Sequence, residues 1–297
     1  MKSSHACEVS EAFRALNPLE YLRQFAGDGI YPDGRPLQQS RPITVTDGAI
    51  TSADASSLAR VGQTAVLATV ILEVATPLAT APEEGFLDVN VQLSPICSEK
   101  YSFSPDSTPA LCLADFLTRA VDGSGMLDRT ALCIEKGQCV WMLRVDVVCL
   151  DDAGNLWDAA LVAIATALLN LRLPATRVAP RDAAGASGGA GGVQQRVTVS
   201  RRDSEASTLP LVCVPISLTF AMLDGALLVD PTADEEPLVD ALFTLVVRSD
   251  DMRRLCLIRK PGGAPTTKAT LQEALALLRG RGVPSALAAL LDKVGGK

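Results

Sequence analysis

Histidine is almost missing from this chain: of 297 residues only His5 is one, in a polar N-terminal stretch. A histidine base, a Ser-His-Asp triad and a histidine-held metal are therefore all but excluded. Aromatic residues make up only 4% of the chain, so little surface is offered on which bases can stack. A basic excess is also lacking: the net charge is −7 and the pI is near 4.9. Free-standing nucleic-acid binders usually neutralise phosphates with such an excess. If this chain works on RNA, its basic residues act locally or a partner supplies the field. The eight cysteines are Cys7, Cys97, Cys112, Cys133, Cys139, Cys149, Cys213 and Cys256, and no two form a C-x-x-C pair, so a zinc signature is absent. Cys149, Cys213 and Cys256 lie in apolar runs, where a free thiol packs as a small hydrophobe. A reducing compartment is the simplest account. The stretch MKSSHACEVSEAF has no apolar block, and the longest uncharged run, Ala206 to Leu223, is broken by Pro210 and Pro215. It reads as strand rather than membrane span. The expectation is a soluble intracellular protein with no membrane partner.

What is present suits a packed core: 48% apolar and 21% charged residues over 297 positions exceed what disorder or a marginal core would show. Asn17-Pro18 predicts a short helix to about Phe25, stopped by Gly27-Asp28-Gly29. Strands are predicted at Ile43–Thr46, Ile50–Ala53, Ala65–Ala75, Phe86–Leu93 and Val140–Leu150; the last two alternate apolar and polar residues. Ala110–Val121 predicts a helix, and Leu161–Leu171 another that is apolar nearly all round and so buried on most sides, with Pro174 beyond it. Residues 181–195, RDAAGASGGAGGVQQ, predict a flexible surface loop. Strands return at Val197–Ser200, Leu211–Ala221, Ala226–Asp230, Leu242–Val247 and Leu255–Arg259, then helices at Leu271–Leu278 and Ser285–Val294. Each half reads as strands followed by a helix, an α+β pattern.

Several pieces in order carry a resemblance. They are Asp33-Gly34-Arg35 with Arg41, the stretch Ala53-Asp54-Ala55-Ser56-Ser57-Leu58 through Thr64, and Asp152-Ala153-Gly154-Asn155 before an alanine-rich helix. Pro18-Leu19-Glu20-Tyr21, Val229-Asp230-Pro231-Thr232 with Glu235-Glu236, and Lys260-Pro261-Gly262-Gly263 before Leu271-Gln272 add to them. Together they resemble the RNase PH superfamily, and within it the ring chains of the eukaryotic RNA exosome, over about Asn17 to Lys293. The resemblance implies an RNase PH-like α+β fold, with mixed sheets packed on helices in two strand-then-helix halves. On that basis residues 1–26 form an extension and helix, 27–179 the first half, 180–208 an insertion and connector, and 209–297 the second half. It implies a hetero-hexameric ring of RNase PH-like chains, capped by S1/KH proteins, through which RNA passes to a separate nuclease. The role implied is ribosomal RNA maturation and messenger RNA decay in nucleus, nucleolus and cytoplasm.

Active members of that superfamily cleave RNA from its 3′ end with phosphate, held by a glycine-threonine/serine-arginine turn at a helix start. The equivalent turn here is Gly154-Asn155-Leu156-Trp157-Asp158. The arginine position falls on Leu156, or on Trp157 with one residue inserted; neither donates to phosphate. Asp158 adds a negative charge beside the anion site. The expectation is a vestigial site plugged by apolar side chains, with no catalytic residue, metal or cofactor. Arg119 resembles a retained arginine and is the one RNA-contact candidate; an ion-paired helix arginine is the equal alternative. Asp234 and Asp240 stand six apart, the superfamily's spacing for an aspartate pair that can share a metal. They motivate the alternative, an active phosphate-dependent 3′–5′ exoribonuclease. The bland reading makes Asp234-Glu235-Glu236 an exposed acidic turn, Asp240 the start of a strand, and Asp230-Pro231-Thr232 a turn former. Arg201-Arg202 and Arg253-Arg254 read as solvated charge, with RNA contact the lesser alternative, the Lys260 turn as a loop after a strand, and Trp141 as core or interface. A third reading keeps the fold as an interaction module unrelated to RNA.

Overall fold

The computed structural model describes residues 13–101, 107–178, 197–199 and 207–281. Helix α1 is Pro18–Gly27. Asn17 makes no side-chain cap there, so the proline at the first turn sets the start. Strands β1 (Ile43–Asp47), β2 (Ala55–Val61), β3 (Thr64–Ala75) and β4 (Phe86–Gln92) follow. The strand expected at Ile50–Ala53 is not formed. Ser56 Oγ accepts from the Ile50 amide and donates to the Ile50 carbonyl, which holds these residues in a turn.

Helix α2 (Thr108–Ser124) ends on Gly125 in the left-handed region, φ 66°, the usual helix stop. A 3-10 turn at Arg129–Leu132 leads to β5 (Cys133–Glu135) and the long β6 (Cys139–Asp151). The sheet order is β1-β2-β3-β6-β4, with β5 on β6. β4 runs parallel to β6, which needs a crossover, and α2 supplies it. Alternation had shown that β4 was half-buried; it could not show the direction of its partner.

Helix α3 (Leu156–Asn170) begins at Leu156, five residues before the apolar run that announced it, because the turn at 152–155 feeds directly into it. Its buried face includes Ala159, Ala160, Ala163 and Ala167 as well as Leu161, Ile164 and Leu168. Small side chains let β2 and β3 on one side and a second sheet on the other approach closely. That sheet follows the short β7 (Arg172–Leu173), β8 (Thr176–Val178), β9 (Val197–Val199) and β10 (Ser207–Thr208). It holds β11 (Pro215–Leu223), β12 (Ala226–Val229), β13 (Ala241–Arg248) and β14 (Leu255–Arg259) in the order β12-β11-β13-β14. β11 starts four residues later than its apolar run, since Leu211–Val214 cross outside the ladder. Helix α4 (Lys268–Arg281) completes the described chain.

Helices α2 and α3 thus lie between two sheets, and one apolar cluster runs from Val66 and Val147 through Ile164 to Phe220 and Leu245. Trp141 belongs to it. The seven described cysteines are all free thiols. No helix among the described residues is long and apolar enough to cross a membrane. The loop predicted at 181–195 and the helix at Ser285–Val294 lie outside the described residues, as do Arg201 and Arg202.

Candidate functional site at the start of helix α3

Three segments meet where β6 gives way to α3: residues 31–41, 152–155 and 230–236. Asp152 shapes the middle one. Its carboxylate accepts from the Gly154 amide at 3.0 Å and the Tyr101 hydroxyl at 2.6 Å, and pairs with Lys100 at 2.7 Å. Burial works to raise this carboxyl, yet Lys100 and Tyr101 outweigh it and hold it below the ordinary range. Gly154 and Asn155 then both take positive φ, 94° and 55°, which turns the chain sharply into α3.

Asp230 is the hub of the joint. It is fully buried with φ 59°. Its carboxylate accepts from the Arg41 amide at 2.7 Å and from Arg41 Nη2 at 2.8 Å, and from Asn155 Nδ2 at 2.6 Å. Arg35 Nη1 stands 3.3 Å away, and its other end donates to the Asp230 carbonyl at 2.6 Å. Arg41 also reaches the carbonyls of Ala153 and Gly154 at 2.9 and 3.0 Å. Burial raises the Asp230 carboxyl, but the Arg41 hydrogen bonds and charge prevail and hold it below the usual carboxylate range. Asp230-Pro231-Thr232 is therefore more than the turn former expected. It is the anchor by which the second half grips Arg35 and Arg41 of the first.

The helix start is not free: besides the apolar side chains of Leu156 and Trp157, its amide meets a carboxylate the sequence did not single out. The Asn155 amide donates to Glu236 Oε1 at 2.8 Å. A carboxylate of the chain itself occupies the anion position that a helix N-terminus favours. Burial nevertheless pushes the Glu236 carboxyl up. Leu156 is buried, 5% exposed, in the main apolar cluster. Trp157 is half-buried, its ring edge-on to Phe116 at 5.2 Å between centroids, with the Arg259 guanidinium 3.3 Å above its face.

Asp158 does not face the anion position as expected. It is 4% exposed and turns toward β11, accepting from the Thr219 amide at 2.8 Å and the Thr219 hydroxyl at 3.2 Å, which in turn meets Thr244 at 2.9 Å. Burial pushes its carboxyl up to about 6 from 3.8. A raised carboxyl costs stability once it ionises: the cost begins above the unfolded value and is complete above the folded one. Asp158→Asn should therefore gain on the wild type by about 2–3 kcal/mol between pH 4 and pH 7. Urea unfolding of both chains across that window checks it; a constant difference would contradict the burial of a charge at this position.

The remaining candidates are scattered. Asp234 is exposed and ion-paired with Arg14. Asp240 is exposed and accepts from the Asp224 amide at 2.8 Å. The two aspartates serve different neighbours, and no metal-holding cluster of His, Cys, Asp or Glu occurs among the described residues. Arg119 is 67% exposed and pairs with Asp115 one helical turn earlier at 2.9 Å. Arg253 and Arg254 are exposed, and Lys260 closes its own turn by donating to the Gly262 carbonyl at 2.7 Å. Sequence reasoning passed over Glu236 and Arg259. Glu236 was hidden by its neighbours, since three acids in a row read as solvated. Arg259 carried a weak signal, a cation ending the otherwise apolar strand LCLIR.

Comparison with known proteins fits this geometry. The sequence profile of the 3′ exoribonuclease family, domain 1, matches residues 39–174, and that of domain 2 matches residues 213–277. The chain belongs to this family, with the mixed α+β fold called RNase PH-like. It is 34% identical over 235 residues to the exosome complex component Rrp42 of Methanopyrus kandleri, covering 79% of this chain and 80% of that protein. It is 28% identical over 273 residues to the exosome complex component rrp43 of Schizosaccharomyces pombe, covering 91% and 94%. A chain of the Archaeoglobus fulgidus exosome, solved with RNA bound to the active site, superposes with a TM-score of 0.74 at 27% identity, covering 89% of this chain and 96% of that one.

Proposed function

We propose that this chain is a ring subunit of an RNA exosome and that it does not itself cleave RNA. The relatives named as exosome components, and the fold shared with an archaeal exosome chain, support the ring role. Within the ring, the position we assign is that of the subunit called exosome component eight in animals, on the motifs given above. Its partners are then other RNase PH-like chains in a hetero-hexamer, S1/KH cap proteins, and RNA passing through. Its place is the nucleus, nucleolus and cytoplasm, in ribosomal RNA maturation and messenger RNA decay.

One observation carries the silent reading. The amide at the start of α3 is already held by Glu236, while the hydroxyl and arginine of an active turn are replaced by Asn155, tied to Asp230, and by Leu156 and Trp157. A phosphate approaching this point meets a carboxylate instead of a guanidinium. Loss of one preorganised donor lowers turnover by roughly 10²–10³. The test is to incubate the purified chain with end-labelled RNA and millimolar phosphate and to measure nucleoside diphosphate. None is expected, and none from Glu236→Gln, because removing the charge does not restore the lost donors. Release that Asp240→Asn abolishes would overturn the proposal in favour of an active exoribonuclease. Copurification without ring and cap subunits would instead favour a module unrelated to RNA.

A further inference from the structure

The Arg259 guanidinium has no carboxylate partner among the described residues. Arg35, Arg41, Arg129 and Arg248, which are also partly withdrawn from solvent, each reach a carboxylate. Arg259 is half-buried at the end of β14, lies flat on the Trp157 indole at 3.3 Å, and makes no side-chain hydrogen bond or ion pair among the described residues. The acidic groups whose charges act on it are the Cys112 thiol, Glu236 and Asp158, and the two carboxyls are already engaged, by the Asn155 amide and by Thr219. Burial pulls this guanidinium down to about 10, as expected of a cation that has lost water without gaining an anion.

We propose that the Trp157–Arg259 pair anchors a protein–protein interface, and that the neighbouring ring chain supplies an Asp or Glu carboxylate to Arg259. This rests on the ring-subunit reading. The indole beneath holds the guanidinium in one plane, leaving its edge to take two oxygens side by side. Tryptophan and arginine dominate the binding energy of protein interfaces when apolar neighbours exclude water around them. An apolar neighbour is present: Leu111, next to Cys112 on α2, is 56% exposed, and the Cys112 thiol acts on the guanidinium. β14 is the outer strand of its sheet, so a neighbour has room to approach. RNA fits less well. The Trp157 face is taken by the guanidinium and offers no base a platform, and phosphates would leave Leu111 uncovered.

The experiment uses the full chain and purified RNase PH-like ring chains of the same source. Arg259→Met should leave the lone chain as stable as the wild type or more so, since an unpaired desolvated charge is removed. The same change should weaken association with the ring neighbour by about thirtyfold or more. In the assembled ring, Arg259→Lys treated with a zero-length carbodiimide should form an amide to an Asp or Glu of the neighbour, located by peptide mass spectrometry. Unchanged affinity of Arg259→Met, cross-links confined to this chain, or photo-cross-linking of 4-thiouridine RNA to Trp157 would each overturn the docking proposal while leaving the ring role standing. Failure of the wild-type chain to associate with any ring chain would overturn both.

Discussion

Asp230→Asn should destabilise the chain by about 3–5 kcal/mol, the cost of leaving buried cations without their partner. The substitution keeps the shape and removes the charge. Arg41 would lose the carboxylate that receives its amide, Nε and Nη2, and Arg35 would keep only its pair with Asp33. Both guanidinium groups lie mostly out of water, 9% and 10% exposed, so solvent screens the loss little. The sign with pH follows from a carboxyl held below its unfolded value of 3.8. Its contribution is present in full above the unfolded value and is lost as pH falls through the lower folded one. The wild type should therefore lose its advantage over the variant only below about pH 4. Urea unfolding at pH 7 and through the acid range measures both effects, and a difference under about 1 kcal/mol at pH 7 would mean that the joint is not held by this charge.

Gly154→Ala should cost about 3 kcal/mol or more, for two separate reasons. The backbone there has φ 94°, which an L side chain rarely adopts, and a Cβ would enter the backbone of Thr232 and Ala233. No rotamer change can relieve a collision with main chain. Gly137→Ala is the control. Gly137 also has positive φ, 73°, but a Cβ there would meet nothing within 4 Å, so only the conformational cost of about 1 kcal/mol is expected. Thermal unfolding of the two variants separates crowding from backbone strain. Equal midpoints would show that the 152–155 turn and the 230–233 segment are not pressed together as described.

Those two segments also show what can and cannot be read from a one-dimensional string. The long strands β3 and β6 and the apolar helix α3 were visible because valine, isoleucine and leucine at regular spacing report burial on a face. Ile50–Ala53 misled for the same reason: an apolar residue in a short segment does not reveal that Ser56 Oγ has taken its backbone hydrogen bonds. Within the site, that Asn155, Leu156 and Trp157 stand at the turn into α3 was legible from their place before the apolar helix. The direction of Asp158 was not. A helix side chain three positions in can face solvent or core, and only the position of Thr219 on β11 decides.

The amino-acid sequence by itself determined the class of the fold and which residue types stand at the start of α3, because these depend on which residues occur and in what order. Only the tertiary structure decided which carboxylate meets the helix start and which guanidinium has no carboxylate partner among the described residues. Glu236 and Arg259 lie 81 and 104 residues beyond Asn155. A contact between groups that far apart in sequence is set by how two sheets close over α3, and nothing local to either residue encodes it.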